Sequence, residues 1–316
     1  MESRAKRKIL IAVDGSNQSL EAVRYISSIV SPDRAEIVLF NVGSGFPEVY
    51  WDMNNNPLYR TEKNKVMGWV AASQLTIGEF KEKAFKVLSD AGFPENTVIV
   101  KTQAKQTKVL KDIIQESYKE YSAIVAGKTG TSRLKDLFLG SLAYQLAENI
   151  KHIPTIIVGG KPYSRKIFIA LDESIEAMRG VSSVAALASR ADIHIQLCHC
   201  LNPSTTDPME ECDIDSDAQR NERARKYGEN RFRPYMDEAT KRLMNAGVPA
   251  ERISCSFVYC ASNTIQKIIE TAIAGDFGTI VVGRREAVSL TQEIFRGRFS
   301  DKIIKIIDDM AVWVVS

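Results

Sequence analysis

The sequence predicts an α/β protein of two doubly wound domains, each a five-stranded parallel sheet with flanking helices. Two observations carry that reading. The chain is written twice: Lys8-Ile9-Leu10-Ile11-Ala12-Val13-Asp14-Gly15-Ser16 returns about 158 positions later as Lys166-Ile167-Phe168-Ile169-Ala170-Leu171-Asp172-Glu173-Ser174. Ser122-Ala123-Ile124-Val125-Ala126-Gly127 likewise returns as Gly278-Thr279-Ile280-Val281-Val282-Gly283. Within each copy, short apolar runs alternate with helical patterns, as parallel strands joined by crossover helices do. At 316 residues, each copy is long enough to bury its own core without metals or disulfides.

In the first copy the apolar runs place strands near 8–13, 36–42, 97–102, 122–127 and 154–159, with helices near 18–30, 64–91, 106–119 and 141–150. The second copy repeats the order. Its strands fall near 166–171, 192–200, 252–258, 278–283 and 311–315, and its helices near 175–190, 217–246, 263–274 and 298–309. Lys161-Pro162-Tyr163-Ser164 is the linker, since a proline between two strands lets neither extend. The domains are therefore 1–160 and 165–316, and so short a linker predicts that they pack on each other. Gly43 to Lys63 and Leu201 to Asp217 carry turn and breaker residues and read as loops over the same edge of each sheet. On helix 217–246, Ala224, Tyr227, Tyr235, Ala239, Leu243 and Met244 read as the core-facing stripe.

Composition is that of an ordinary globular chain, 44% apolar and 26% charged. No apolar run approaches the roughly 18 residues of a membrane span. The basic start, Met1 to Lys8, leads into a strand and not into a signal-peptide apolar region, so the chain reads as cytoplasmic. Residues 1–160 hold 21 basic and 17 acidic side chains, and residues 161–316 hold 21 and 22. That bias suits a small anionic ligand in the first half. It offers no dense basic stripe for nucleic acid and no membrane surface. Five cysteines, all in the second half, lack framework spacing and read as reduced thiols. Cys198-His199-Cys200 tempts a metal reading. On a strand, however, the two thiols share one face and His199 takes the other, so core thiols are the expectation.

The chemistry sits where the copies part. The first runs Gly127-x-x-Gly130, nine residues, then Gly140-Ser141. Gly127 ends an apolar strand without a side chain to block the crevice, and Gly130 lets backbone N–H groups converge. Gly140-Ser141 opens a helix, whose unpaired N–H groups and positive dipole end attract phosphate. Asp14 ends the first strand at the reversal of strand order, beside the fourth, where doubly wound sheets bind ligands. It could instead cap the following helix, or do both. Gly127-Lys128-Thr129 is not a Walker motif. The first glycine of that motif falls on Ser122, and the residues between are strand. The second copy keeps Asp172, Ser174 and Gly283 but has Glu286 for the second glycine and one extra residue before Gly297, so its phosphate side is degenerate. Arg284, Arg285, Arg296 and Arg298 leave it another way to meet an anion.

These residues, and the doubling, resemble the universal stress protein family in its tandem form, across nearly the whole chain. The most specific element is the family's ATP-binding pattern, G-x2-G-x9-G-[ST], carried here by Gly127, Gly130, Gly140 and Ser141. The resemblance implies sheets in strand order 3-2-1-4-5, packed as an intrachain pseudo-dimer through the fifth strands, 154–159 and 311–315. It also implies ATP, in one variant with Mg2+, as the ligand. Asp14 and the backbone of Val42 would meet adenine, Gly127 the ribose, and Gly130, Gly140, Ser141 and Leu142 the phosphates. Lys128 and Arg133 either add charge or lie on the surface. The catalytic inventory is thin: His152, the one histidine of the first half, precedes the last strand away from the crevice, and no Ser-His-Asp or Cys-His set is visible. The expected function is an ATP-binding regulatory protein of the stress response, with a protein partner or a homodimer mate. The alternatives are a slow ATPase or phosphotransferase using the same site, and a scaffold without nucleotide.

Overall fold

The computed structural model describes residues 6–43, 60–128, 141–162, 164–188, 190, 192–201, 217–260, 263–284, 303–304 and 308–316, with the side chains of 60–74, 141 and 217–221 left aside. The chain forms two compact units, Met1–Val158 and Gly159–Ser316.

The first unit runs β1 (Arg7–Ala12), α1 (Asn17–Ile29), β2 (Ala35–Gly43), α2 (Arg60–Asp90), β3 (Val98–Ala104), α3 (Val109–Ser117), β4 (Ala123–Gly127), α4 (Ser141–Asn149) and β5 (Thr155–Val158). Its strands are all parallel, in order β3-β2-β1-β4-β5. β1 is central, with Ile9 opposite Ile37 of β2 on one side and Ala123 of β4 on the other. Helices cover both faces, so Ile9, Leu10, Ile11, Ile124 and Val125 are fully buried. That is why these strands read as unbroken apolar runs and not as alternating ones.

The second unit repeats the plan: β6 (Lys166–Leu171), α5 (Ile175–Leu187), β7 (His194–Leu201), α6 (Asp217–Asn245), β8 (Ile253–Tyr259), α7 (Thr264–Ala274), β9 (Thr279–Gly283) and β10 (Ala311–Val315). Its parallel order, β10-β9-β6-β7-β8, is the same sequence of strands read from the other edge. The expected order 3-2-1-4-5 therefore holds in each half.

Several boundaries differ from expectation for local reasons. α2 begins at Arg60, four residues early. α3 begins at Val109 and not 106, because the Asp112 carboxylate accepts hydrogen bonds from the N–H groups of Gln106 and Thr107 and from the Thr107 hydroxyl. Those bonds hold 106–107 in a turn ahead of the helix. Single-turn helices at Glu95–Thr97 and Ala250–Arg252, each after a proline, were not expected. The α6 stripe is also corrected. Tyr227, Tyr235 and Met244 are exposed, and the buried line is Ala224, Gly228, Phe232, Met236, Ala239 and Leu243. This line steps mostly by four and keeps both phenols in water. Of the expected helix 298–309, residues 303–304 are helical and 308–309 lie in a bend; the others lie outside the described residues, as do 44–59 and 202–216 of the two irregular loops, while 60–63 of the first belong to α2.

Candidate functional site

The C-terminal ends of β1, β2 and β4 meet at the strand-order reversal of the first unit. β1 stops at Ala12, opposite Phe40 and Ala126, while β2 runs on through Asn41, Val42 and Gly43. The peptide edge of β2 therefore overhangs β1. Buried Asn41 fixes it, donating from Nδ2 to the carbonyl of Val13 at 2.8 Å. Half-buried Val42 lies in this overhang.

Asp14 is exposed beside it, and its Oδ1 accepts from the Ser16 N–H at 3.0 Å and the Ser19 hydroxyl at 3.1 Å. Ser16 is the N-cap of α1, its Oγ accepting from the Ser19 N–H at 3.1 Å. The aspartate thus braces the first turn of α1. Gly15, at φ +82°, supplies the left-handed turn between strand and helix, with Thr76 and Ile77 of α2 packed against it.

Gly127 ends β4, and the room it leaves is taken by protein. A Cβ there would stand 2.9 Å from the Gln18 carbonyl oxygen and 2.7 Å from its Cγ. Gln18 also donates from Nε2 to Val158 at 2.9 Å, tying the start of α1 to the end of β5. The glycine lets α1 sit on the end of β4, a packing role the spacing did not reveal. α4 starts at Ser141, with Leu142 half-buried in its first turn. Gly130, Gly140 and Arg133 lie outside the described residues.

The second unit shows what these positions do without the glycine pattern. Strand register equates Asn41 with His199 and Val13 with Leu171. His199 donates from Nδ1 to the Leu171 carbonyl at 2.8 Å, the bond that Asn41 makes in the first unit, and its ring stacks on Phe232 at 3.5 Å. Asp172 accepts from the Ser174 N–H at 2.9 Å and from its hydroxyl, and Ser174 caps α5. Gly283 admits the first turn of α5, since a Cβ would meet the Ala177 nitrogen at 2.5 Å. Asp172, Ser174 and Gly283 are therefore explained by the strand–helix junction alone. The turn itself has changed: Glu173 replaces Gly15 and pairs with Arg231 of α6 at 3.1 Å. Arg284, the counterpart of Lys128, is buried at the end of β9. Glu286 and Gly297 lie outside the described residues.

Away from the crevice, the first unit buries Glu116 between Lys101 at 2.6 Å, Lys119 at 2.8 Å and the Tyr121 hydroxyl at 2.7 Å. Burial pushes this carboxyl up, but the three hydrogen bonds outweigh it and hold it below its usual range. His152 stands at the opposite end of the sheet from the crevice, its Nε2 2.9 Å from the Ser117 carbonyl and its ring stacked on Tyr118. Among the described residues, no group of three His, Cys, Asp or Glu could hold a metal ion, and no helix is long and apolar enough to cross a membrane.

Sequence reasoning missed Gln18 and Asn41, which position this edge. A polar residue inside the apolar run of β2 is a signal for Asn41; nothing in the sequence points to Gln18.

The family model of the universal stress protein family matches the chain twice, over residues 6–159 and 164–315. No curated protein sequence matches it. Among solved structures, a universal stress protein from Archaeoglobus fulgidus DSM 4304 is 16% identical, covers 100% of this chain and 99% of its own, and superposes with a TM-score of 0.62. A functionally unknown protein from Pseudomonas aeruginosa PAO1 is 12% identical over 98% of this chain and 92% of its own, with a TM-score of 0.53. A universal stress protein in complex with cAMP covers 48% of this chain and 96% of its own at 14% identity, with a TM-score of 0.35. Matched over both of its repeats, the chain belongs to the universal stress protein family, with two of its domains in tandem.

Proposed function

We propose that the first repeat binds ATP and that the protein acts as a nucleotide-responsive regulator, its second repeat serving as a structural or partner-binding domain. One observation supports this above the others: α4 begins at Ser141, the last residue of the glycine pattern, on the C-terminal side of the β1–β4 reversal. The N–H groups of its first turn then complete the phosphate side. The residues present fit a nucleotide. The overhanging β2 edge at Val42 offers backbone groups to adenine beside exposed Asp14. Gly127 contributes backbone near the ribose, while Gly130, Gly140, Ser141 and Leu142 contribute to the phosphates. Gly127 has a packing reason of its own, so the weight of the proposal falls on Gly130 and Gly140.

Mass spectrometry of the purified chain after denaturation tests the reading, with ATP released at about one per chain as the expected result. ADP or AMP in its place supports turnover at the same site. No nucleotide, with no titratable affinity for ATP, overturns both. Gly140→Asp puts a carboxylate where phosphate charge would lie and weakens ATP binding roughly 100-fold or more. Unchanged affinity in a folded Gly140→Asp variant refutes the site.

A further inference from the structure

Cys200 is the penultimate residue of β7, and Cys260 follows the last residue of β8. The two strands are parallel, with Leu201 opposite Tyr259, and the Cys260 N–H donates to the Leu201 carbonyl at 3.0 Å. That bond carries the ladder one step past β8 and draws the chain leading to α7 toward β7. The two Sγ atoms come to 2.7 Å, and the Thr264 hydroxyl at the start of α7 lies 3.3 Å from the Cys260 sulfur. Cys260 is buried and Cys200 half-buried, so Cys200 is the more exposed of the two. The other two described thiols are differently placed. Cys198 is buried with Ser256 opposite it in register, and Cys255 lies near the Thr240 hydroxyl at 3.6 Å. Register puts Val42 and Lys105 at the equivalent places in the first repeat, where no cross-link can form.

We propose that Cys200 and Cys260 form a reversible dithiol–disulfide site, oxidised by small-molecule disulfides of the glutathione class. One cysteine attacks a sulfur of the reagent and expels one glutathione thiolate, leaving a mixed disulfide on the protein. The second cysteine attacks the protein sulfur of that intermediate and expels the other glutathione. One S–S bond forms in the protein and one breaks in the reagent. The two thiol protons end on the two released glutathiones, so the protein is oxidised by two electrons and the reagent reduced by two. The fold has already closed the chain between positions 200 and 260 and brought the two sulfurs together, which favours the second step. Burial pushes the Cys200 thiol up to about 12 and that of Cys198 up to about 11. Cys200 thiolate is therefore scarce near neutrality, and excess reagent is needed to drive the exchange. The proposal stands independently of nucleotide binding.

The test is cysteine mapping of the full reduced chain after incubation with excess oxidised glutathione. Alkylatable thiols should fall from the five of the sequence by two. The digest should show one linked peptide pair, Cys200 to Cys260, lost again on treatment with dithiothreitol. In Cys200→Ser the linked pair is absent, and Cys260 is recovered either free or as a mixed disulfide with glutathione. The proposal is overturned if both cysteines of the unmodified chain remain alkylatable, if they carry only glutathione, or if either is found linked to Cys212.

Discussion

The crevice ends of the two repeats share an aspartate, a capping serine, a strand-end glycine and a side-chain bond to the carbonyl just before the aspartate. In both, each of these residues is accounted for by the junction between strand and helix. Asp14 and Asp172 brace the cap, Ser16 and Ser174 make it, and Gly127 and Gly283 admit the helix start. Asn41 and His199 hold the equivalent carbonyl with different chemistry. What the repeats share has an architectural reason in both, so the weight of the functional reading falls on what they do not share. The unshared features are Gly15 against Glu173, Val42 and Lys105 against the thiol pair, and the glycine pattern that runs into α4. Asp172 has a reason to be there in the cap it braces, whatever else it does.

The comparison can be broken or sharpened by substitution. The largest effect should come from Gly283→Ala, where the obstacle is backbone at 2.5 Å. We expect about 3 kcal/mol lost in urea denaturation, and somewhat less for Gly127→Ala, where part of the clash is the flexible Gln18 side chain. If Gly127→Ala leaves stability intact while abolishing nucleotide binding, the packing account of the shared glycine fails.

Next in size is Asn41→Ala, which leaves the Val13 carbonyl without its partner. A loss of about 2 kcal/mol is expected, while Asn41→His should recover part of it by copying the second repeat. Failure of that rescue would mean the two side chains are not equivalent.

Among the described residues, the Glu116 cluster has no counterpart in the second repeat. Counted from their N-caps Lys108 and Asn263, α3 has Asp112 and Glu116 where α7 has Lys267 and Thr271. Since the folded carboxyl titrates below its unfolded value, its contribution is complete above the unfolded range, near pH 4.5, and disappears as pH falls through the folded one. Glu116→Gln should therefore cost about 1–2 kcal/mol near neutrality and almost nothing in strong acid. A stability gap that does not narrow on acidification would show that packing, and not charge, is what the substitution removed.

The smallest effect is that of the caps. Ser16→Ala and Ser174→Ala should each cost about 1 kcal/mol, and by similar amounts if the two junctions are the same device. Thermal unfolding of the two variants side by side checks this.

Much of this fold is legible in the sequence. The repeat and the apolar runs of β1, β4, β6 and β9 determine two parallel sheets, because strands buried on both faces must be apolar throughout. The glycine pattern and the family likeness of its spacing are legible too. The start of α3 differs from expectation because the Asp112 turn, not the apolar period, decides where that helix begins. The α6 stripe was misread because alanine and tyrosine fit a helical period equally well, and only contact with the sheet decides which of them is buried.

By itself, then, the sequence determined that there are two doubly wound repeats and that one alone carries the G-x2-G-x9-G-[ST] pattern. Only the tertiary structure decided why Asp172 and Gly283 persist. It also decided that Gln18 fills the space beside Gly127 and that Cys200 and Cys260, distant in sequence, stand sulfur to sulfur. The physical reason is the same each time: strand pattern is local and periodic, whereas a close approach between a helix start and a strand end depends on residues far apart in the chain.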